Sequence, residues 1–365
     1  MRANLKRVTF TGIPTTPVIT VLIPVFNQQS HISTTLSRLV ESLSLPCRLI
    51  VIDDASTDGT YQEIVLTAER IVHGREITVD LVSNSKAVYE TRCDHLGLEL
   101  SETKYVIELQ ADMLLDDRGF DKRLVSLMDL NPDLIALSGR GTEPLLPIIR
   151  RYRLNAGSEI AKGSTLTRHI INLLIAKIGS MKSLTLTKPT QAPRQQPILN
   201  FDQDVYPTPE SFTLTGSAGR LGTLINQRLK PDEKLGSIWL GQTVMRGPLI
   251  IDREKYFEVG GLDTKSFFLG FDEHDLFLRA YIVAGYRVGF TPVIFDSPLD
   301  NGTTRRRRKL RQEIELIAML RRVNVNRKSS YLYSVTEQQA AELPSPSFRA
   351  GMPMAATRHG FGMDG

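Results

Sequence analysis

Three groups of acidic side chains, far apart in the sequence, have the residue types that catalytic and ligand-binding sites use. A carboxylate beside an aromatic ring can accept an N–H group from a nucleotide base that stacks on the ring. A carboxylate can also ligate Mg²⁺ or Mn²⁺ together with substrate phosphates, or remove a proton from an attacking hydroxyl group. The three groups are Asp53 with Asp54, Asp112 with Asp116 and Asp117, and Asp272 with Glu273 and Asp275.

Each acidic group also has an ordinary structural interpretation, and the sequence by itself leaves both open. Residues 53–58 contain the Asp, Ser and Gly types that turns favour. Asp112 can end a strand or cap a helix, and its acidic neighbours can cap the next helix. The run 272–275 can be an acidic first helical turn, where the helix dipole favours negative charge.

The first acidic group follows a strand–helix–strand pattern. Two apolar runs rich in β-branched residues, Val21–Ile23 and Leu49–Ile52, flank about twenty residues with helical periodicity. This order predicts a βαβ unit with parallel neighbouring strands, and ligands of open parallel sheets bind beyond the carboxyl ends of the strands. We therefore predict a nucleotide-binding crevice in which Phe26 offers a ring and Asp54 a carboxylate. The first strand end carries Pro24, Val25, Phe26 and Asn27, and the second carries Asp53 and Asp54.

The rest of the pattern predicts an α/β fold, with a mostly parallel sheet flanked by helices. Ile77–Val82 and Tyr105–Leu109 are two further predicted strands, and the second runs directly into Gln110 and Asp112. We divide the chain into a flexible lead (1–18), a main domain (19–300), a basic amphipathic helix region (301–335) and a disordered tail (336–365). The main domain comprises a nucleotide-binding half (19–130), an irregular insertion (139–240) with an amphipathic stretch at 168–178, and an acceptor half (241–300).

Composition is that of a soluble globular protein. The chain has 365 residues, 41% hydrophobic and 23% charged, and its two cysteines are too few for a disulfide framework. We expect both cysteines to be reduced. Apolar runs are shorter than a membrane span needs, and the first residues lack a signal-peptide core. We therefore predict a cytoplasmic protein with neither a membrane anchor nor a secretion signal.

Positive charge is concentrated in one segment. Residues 304–328 hold ten Lys or Arg against two Glu, whereas the whole chain carries a net charge of +5. The segment is either a solvated helix end or a contact for phosphates, an acidic glycan or anionic lipid headgroups. We predict peripheral contact with an anionic membrane surface. Nucleic acid is not expected as a partner, since aromatic residues do not alternate with the basic ones. The four consecutive arginines are Arg305, Arg306, Arg307 and Arg308.

Three blocks of the sequence together resemble glycosyltransferase family 2, whose members have the GT-A fold. VLIPVFNQQSHISTTLSRLVESL, followed by LIVIDDASTDGT, is similar to the opening of that family. YVIELQADM lies where the family has a short acidic metal motif. The block from RGPLIIDREKYFEVGGLD to FFLGFDEHDLFLRAYIVAGYRVGF resembles the acceptor half. The resemblance covers about 20–60, 105–117 and 246–290.

The resemblance implies an enzyme that transfers a sugar from a nucleotide-diphosphate sugar to a hydroxyl acceptor, with inversion. The acceptor would be a glycan, a lipid or a protein glycan, and the cofactor Mn²⁺ or Mg²⁺. Catalysis would fall to Glu273, with Asp272 beside it, and metal binding to Asp112 and Gln110. Acceptor contacts would be Asp275, His274 and Gly247. Donor contacts would be Pro24, Val25, Phe26, Asn27, Asp53, Asp54 and Arg92.

Two departures from the family pattern leave alternatives open. Gln110 stands where the metal motif has its first acid, so one carboxylate remains where two are common. The base motif reads Asp-Glu where Glu-Asp is usual, so either Asp272 or Glu273 could remove the proton. Gln110 keeps open a catalytically inactive nucleotide-sugar-binding protein. A nucleotidyltransferase is the other alternative, but it would need a phosphate loop rich in glycine and lysine, which PVFNQQS does not supply.

Overall fold

The site is built on one large sheet and the helices beside it. The computed structural model describes residues 5–161, 238–297, 326–345 and 347–349. Its helices are α1 (Ile32–Ser42), α2 (Thr60–Val72), α3 (Glu90–Leu100), α4 (Phe120–Leu130), α5 (Leu145–Ala161), α6 (Arg253–Glu258), α7 (Asp272–Ala284), α8 (Tyr331–Ser334) and α9 (Glu337–Ala341). Its strands are β1 (Lys6–Thr11), β2 (Ile19–Val25), β3 (Cys47–Asp53), β4 (Ile77–Ser83), β5 (Tyr105–Glu108), β6 (Leu114–Leu115), β7 (Leu134–Ser138), β8 (Thr142–Glu143), β9 (Ile238–Gly241), β10 (Thr243–Val244), β11 (Leu249–Asp252), β12 (Arg287–Phe290), β13 (Phe295–Asp296) and β14 (Ser347–Arg349).

Ten of the described strands form one sheet, in the order β1-β4-β3-β2-β5-β11-β7-β12-β9-β14. Strands β2 to β5 are mutually parallel, and β7 is parallel to β12. Because β11 lies antiparallel between β5 and β7, those two strands also share a direction. Six strands therefore run the same way. The predicted α/β fold and the opening βαβ unit are confirmed.

Alternating side chains of the parallel strands fill two cores, one on each face of the sheet. Val21 and Ile23 pack in one core with residues of α1, α2 and α4. Leu22 packs in the other with residues of α3, α6 and α7. Because successive strand residues point to opposite faces, the fully buried run Val21–Ile23 serves both cores. This burial on both faces is typical of parallel strands covered by helices.

A glycine brings α3 close to the sheet. A Cβ atom at Gly97 would lie 2.2 Å from Cδ1 of Leu22 on β2, so no larger residue fits there without a shift. The close approach fixes the height of α3 above the sheet. The first turns of α3, with Glu90 and Asp94, are thereby held at the edge where β2 and β5 end.

The flexible lead predicted for residues 1–18 is wrong for residues 6–11. Lys6–Thr11 forms β1, an edge strand antiparallel to β4. Arg7 and Thr9 hydrogen-bond the buried carboxylate of Asp80 on β4. The KRVTFT sequence carries three β-branched residues and one aromatic residue in its last four positions, which is the strand signal that the basic residues and nearby prolines obscured.

The insertion predicted as irregular contains regular structure where it is described. Leu145–Ala161 is a helix of 17 residues and Ile238–Gly241 is a strand of the central sheet. Pro147 does not interrupt α5, because proline is tolerated in the first turn, where its missing N–H group would have no helical partner. Pro147 thus lies at a helix start and not in a loop.

The disordered tail predicted for residues 336–365 is also wrong in part. Glu337–Ala341 forms α9, which begins at a capping box between Thr336 and Gln339. Ser347–Arg349 forms β14, which pairs with β9 at the end of the sheet. Arg349 makes two hydrogen bonds to Asp133 at 2.6 and 2.7 Å. The Thr-x-x-Gln spacing was the readable signal for α9.

Several predictions concern residues outside the described ranges. They are the amphipathic stretch at 168–178, most of the insertion, the basic helix and the arginine run Arg305–Arg308. In the described ranges, the helices lack the combination of length and apolar composition that crossing a membrane requires.

Candidate active site

The loops that follow β2 and β3 are joined to each other. The Asn27 amide donates a hydrogen bond to Ser56 Oγ at 3.0 Å, and Asn27 Oδ1 accepts one from the Thr57 amide at 2.8 Å. Pro24 and Phe26 are partly exposed at this rim, and Val25 is buried. Of the four residues predicted for the first strand end, Pro24 and Val25 end β2, and Phe26 and Asn27 begin the loop at the carboxyl edge of the sheet.

The carboxylate of Asp54 is used within the protein. Its Oδ1 accepts hydrogen bonds from Asn84 Nδ2 at 2.9 Å and from the Val88 amide at 2.8 Å. Its Oδ2 accepts one from the Tyr89 amide at 2.8 Å. Asp54 is buried and holds the 84–89 loop in place, and its role as a base contact stays a prediction. Asp53 is buried as well, accepts the Ser56 amide at 3.1 Å, and burial raises its pKa.

Backbone strain is concentrated at the same edge. In the described ranges, four non-glycine residues have positive φ: Asn27, Ala55, Tyr89 and Phe271. Asn27 and Ala55 follow β2 and β3, and Tyr89 and Phe271 immediately precede α3 and α7. Such residues persist only where the surrounding structure enforces them, and they cluster at functional sites. Their distribution marks the four loops that surround the crevice.

The predicted metal loop holds two residues with different surroundings. Asp112 is 7% exposed and makes neither a hydrogen bond nor an ion pair with another residue that the structure describes. Gln110 Oε1 accepts a hydrogen bond from Arg140 at 3.3 Å, and its amide nitrogen donates one to Glu90 at 3.2 Å. A carbonyl oxygen held by a guanidinium is a poor ligand for a second cation. Gln110 as a metal ligand stays a prediction, although its carbonyl oxygen already accepts from Arg140. Asp112 has no such partner among the described residues.

A buried arginine, Arg246, joins the two halves of the site. It lies directly before the buried Gly247 and is 6% exposed. Its Nη1 and Nη2 atoms hydrogen-bond one carboxylate each, and three other carboxylates of the described chain lie within 3.7 Å of the guanidinium. The hydrogen-bonded partners are Asp94 on α3 and Asp272 on α7, and the others are Glu90 at 3.4 Å, Glu108 at 3.3 Å and Glu273 at 3.7 Å.

The two acids at the start of α7 differ in exposure and in proton affinity. The Asp272 side chain is fully buried, whereas the Glu273 side chain is 14% exposed. Burial acts to raise the pKa of Asp272, but the charge of Arg246 and hydrogen bonds with Glu273 and Thr91 together leave that pKa below its usual value. Burial and the charge of Asp272 raise the pKa of Glu273 well above its usual value. Asp272 is thus the ionised partner of Arg246, and Glu273 is the group that can face a substrate.

His274 lies between two carboxylates. Its Nε2 is 3.6 Å from Glu273 and 3.7 Å from Glu143, and its Nδ1 is 2.9 Å from the Thr243 hydroxyl. Burial, with the nearby charge of Arg151, lowers the pKa of His274 to about 3. The imidazole is therefore neutral near neutral pH, and it borders the crevice next to Glu273.

The other residues predicted to contact substrate have different positions. Asp275 is 1% exposed, and its carboxylate accepts the Leu332 amide at 3.0 Å and pairs with Arg279. Gly247 is buried against the loop of Gln110 and Met113. Their roles as acceptor contacts stay predictions: in the folded protein Asp275 holds the segment that begins α8, and Gly247 lies against the loop of Gln110 and Met113. Arg92 is exposed on α3, on the side away from Glu90 and Asp94.

Sequence reasoning missed the residues that connect the site. Arg246, Arg140, Glu90, Asp94 and Glu108 were assigned no role. Glu108 gave a readable signal, because a charged residue inside the apolar run YVIEL requires a buried partner. The identity of that partner, Arg246, could not be read, because 138 positions separate the two residues in the sequence.

Glu108 makes folding stability depend on pH. Burial raises its pKa to about 7 from an ordinary 4.5. Between these values the unfolded chain releases a proton that the folded protein keeps, so the free energy of unfolding falls as pH rises. The full difference between the two pKa values corresponds to a change of roughly 3 kcal/mol in the free energy of unfolding. We expect Glu108→Gln to remove this loss of stability. In urea denaturation, the free energy of unfolding of the variant should rise relative to that of the wild type between about pH 4.5 and about pH 7.

A matched control is Glu69→Gln, which changes an exposed glutamate on α2. Its unfolding free energy should run parallel to that of the wild type over the same pH range. Parallel curves for Glu108→Gln and the wild type would contradict the assignment of this pH dependence to Glu108.

The nucleotide-binding half of the molecule matches a known family. Residues 20–170 match the family model described as Glycosyl transferase family 2. This stretch belongs to glycosyl transferase family 2. The match confirms, over this stretch, the resemblance found in the sequence. It contains the crevice loops and Asp112, whereas Arg246 and Glu273 lie beyond it. No curated protein matches the sequence.

Solved structures of other glycosyltransferases are similar to this chain at low identity. The mannosyltransferase PcManGT from Pyrobaculum calidifontis, in complex with GDP-Man and Mn²⁺, is 16% identical with a TM-score of 0.44, over 79% of this chain and 58% of that one. S. aureus TarS 1-349 with UDP-GlcNAc is 12% identical with a TM-score of 0.43, over 88% and 69%. GalNAc-T7 with UDP, GalNAc and Mn²⁺ is 12% identical with a TM-score of 0.44, over 76% and 42%. The chain thus spans less than two thirds of the first of these, and TM-scores this low support no inference about its ligands.

Proposed function

We propose that this family 2 protein transfers a sugar from a nucleotide-diphosphate sugar to a hydroxyl acceptor, with inversion at the anomeric carbon. The observation that carries the proposal is the convergence of Asp112 and Glu273 at the carboxyl edge of one sheet. A chain of hydrogen bonds and ion pairs through Gln110, Glu90 and Arg246 links the loop of Asp112 to the first turn of α7, which carries Glu273. A carboxylate for a cation and a carboxylate for a proton are what a direct displacement requires.

The donor base would lie in the crevice beyond β2 and β3. Phe26 supplies a partly exposed ring at its rim, next to Pro24 and Asn27. Asp54 would act by holding the 84–89 loop as a wall of the pocket. Direct contact between the base and Asp53 remains a proposal. A pocket of this kind binds a flat base by stacking and reads its edge through a few polar groups.

A divalent cation, Mn²⁺ or Mg²⁺, would be held by Asp112. The described residues contain no group of three His, Cys, Asp or Glu side chains that could hold a metal ion. One carboxylate still fits, because Mg²⁺ is often bound through one or two carboxylates together with substrate phosphates and water. The carboxylate of Asp112, which makes no hydrogen bond or ion pair with the residues that the structure describes, meets this requirement. When bound, the cation would neutralise charge on the diphosphate leaving group.

Glu273 would act as the general base. Its carboxylate takes the proton of the acceptor hydroxyl while that oxygen bonds to the anomeric carbon and the bond to the diphosphate oxygen breaks. Its side chain is the partly exposed one of the two acids at the start of α7, and it lies 3.7 Å from Arg246. Asp272 would orient Arg246 and is too buried to meet the acceptor. His274, neutral beside Glu273, would contact acceptor hydroxyl groups.

The acceptor class and the location of the enzyme remain proposals. We propose a glycan or a lipid-linked acceptor. Contact of Arg305–Arg308 with an anionic membrane surface, and a cytoplasmic location, also stay predictions. The same holds for the division of the chain into domains.

A panel of nucleotide sugars tests the proposed function. We expect one donor to raise the thermal midpoint in the presence of Mn²⁺, and to raise it less without the metal. Saturation at about one hundred times Kd corresponds to about 2.7 kcal/mol of stabilisation. UDP, GDP and dTDP sugars should be compared, with the free nucleotides and inorganic diphosphate as controls. Failure of every donor to shift the midpoint would contradict the proposal.

An inactive donor-binding protein is the second candidate. The observation that favours it is Gln110, whose carbonyl oxygen is held by Arg140 where the family pattern has an acid. Release of free sugar or nucleotide from the stabilising donor, measured with Mn²⁺ or Mg²⁺, separates the candidates. Turnover identifies an enzyme, whereas stabilisation without any turnover identifies the binding protein.

A further inference from the structure

The guanidinium of Arg246 is fixed in orientation by two buried acids. Asp94 on α3 accepts from Nη1, and Asp272 on α7 accepts from Nη2. Both acids are 0% exposed. The rigid, planar fork of arginine can serve two carboxylates at once, which a lysine ammonium cannot do with the same geometry. Arg246 therefore ties the donor half of the site to the start of α7.

The remaining edge of the guanidinium faces Glu273. Nε of Arg246 lies 3.7 Å from Oε2 of Glu273, and both atoms are buried without a hydrogen-bond partner in the described chain. This distance is an ion-pair contact that is too long for a hydrogen bond. Glu273 is thus less firmly held than Asp94 or Asp272.

Several elements packed near Glu273 contribute charged or titratable side chains to its surroundings. The guanidinium is the cation in contact with this carboxylate, and His274 beside it is neutral near neutral pH because burial lowers its pKa to about 3. The other charged or titratable groups facing this region are Asp272 on α7, Glu143 next to His274, Arg151 on α5, Glu90 and Asp94 on α3, and Glu108 on β5.

We propose that Arg246 is a positioning residue that holds Glu273 and sets how readily its carboxylate takes a proton. The inference rests on the proposed function, because it concerns the base of that reaction. Charge on Arg246 favours the ionised Glu273 that must exist before the acceptor hydroxyl can lose its proton. The acids of the donor half share the same guanidinium, so they limit how strongly it acts on Glu273.

Arg246→Lys tests the proposal through the pH profile of transfer. The lysine ammonium keeps a positive charge, but it cannot hydrogen-bond Asp94 and Asp272 and also lie beside Glu273. We expect the acid limb of kcat/KM to move upward by about one pH unit. Activity should fall about ten-fold on the acid side and recover at higher pH. A change that only loosened the fold would lower activity at every pH.

A second variant guards against misfolding. Arg246→Met combined with Asp94→Asn removes the cation together with one of its acids, so that less charge is left uncompensated. Its acid limb should move upward further than that of Arg246→Lys. Arg48→Lys is the matched control, because Arg48 is also buried and paired with an acid, Asp80, at 2.7 Å, away from the crevice. The control should lower the thermal midpoint and leave the acid limb in place.

Carbon-13 titration separates this proposal from the proposed function. In protein labelled at the glutamate carboxyl carbons, the signal missing from Glu273→Gln identifies Glu273 without any substrate. We expect the midpoint of that signal to rise in Arg246→Lys and to stay unchanged in Arg48→Lys. An unmoved midpoint in folded Arg246→Lys overturns the role of Arg246. Absence of transfer by the wild type with every donor, together with a moved midpoint, overturns the proposed function alone.

Discussion

Glu273→Gln is expected to lower the rate of sugar transfer by about 10²–10⁴-fold while donor affinity stays near that of the wild type. Glutamine keeps the size and polarity of the side chain but cannot take up the proton of the acceptor hydroxyl. Its amide can still lie beside His274 and Arg246. The measurements are single-turnover transfer with the donor found by the panel, and titration of the same donor without acceptor.

The matched control for this change is Glu254→Gln. Glu254 is also in the first turn of a helix, α6, but it is exposed and lies outside the crevice. Transfer by this control should equal that of the wild type. Near-normal turnover by Glu273→Gln would show that another group removes the proton, and Asp272→Asn would then be the next variant to measure.

Asp112→Asn is expected to weaken metal-dependent donor binding at least about ten-fold. The substitution removes the negative charge that would hold the cation, and it preserves the shape of the side chain. Because Asp112 makes no hydrogen bond or ion pair with the residues that the structure describes, the change should disturb the fold little. Titration of the donor with and without Mn²⁺ measures the effect.

Asp116→Asn is the control for the metal prediction. Asp116 lies four residues further along the chain, directly after β6, and its side chain is 79% exposed. Its substitution should leave the dependence of donor affinity on Mn²⁺ unchanged. Equal metal dependence in Asp112→Asn and the wild type would remove Asp112 from the metal site.

The opening half of the fold could be predicted because its signals are local. In Val21–Ile23 and Leu49–Ile52, β-branched composition, short length and flanking turn residues all indicate the same structure. The helix between them shows its periodicity at Leu36 and Leu39, both buried in the core beneath it. Strand pairing follows from the short βαβ connection, so the crevice could be placed before any contact was known.

The chemistry within the crevice could be predicted only by residue type. Asp54 and Asp275 have the types and positions of substrate contacts, yet the folded protein uses both carboxylates to accept backbone amides, from Val88 and Leu332 among others. Nothing local distinguishes a carboxylate that meets substrate from one that organises a loop. The difference is set by which N–H groups the tertiary fold brings near.

The partners of the buried charged residues could not be predicted from the sequence for the same reason. Arg246 forms ion pairs with acids on α3, β5 and α7, and its role follows from these long-range contacts. Strand β1 depends on Asp80, a buried acid that accepts from both Arg7 and Arg48. A charged residue in an apolar strand announces that a partner exists, but the sequence does not say where that partner is.

The pairing of β14 with β9 has a consequence for the order in which the molecule is built. Ser347 pairs with Leu240 and Arg349 with Ile238, more than a hundred residues earlier. On the ribosome, β9 is therefore made long before the strand that covers its outer edge. During that interval its N–H and C=O groups form an open edge, to which a strand of another chain could add. The exposure ends when β14 pairs with β9, and two hydrogen bonds from Arg349 to Asp133 then hold β14 on the sheet.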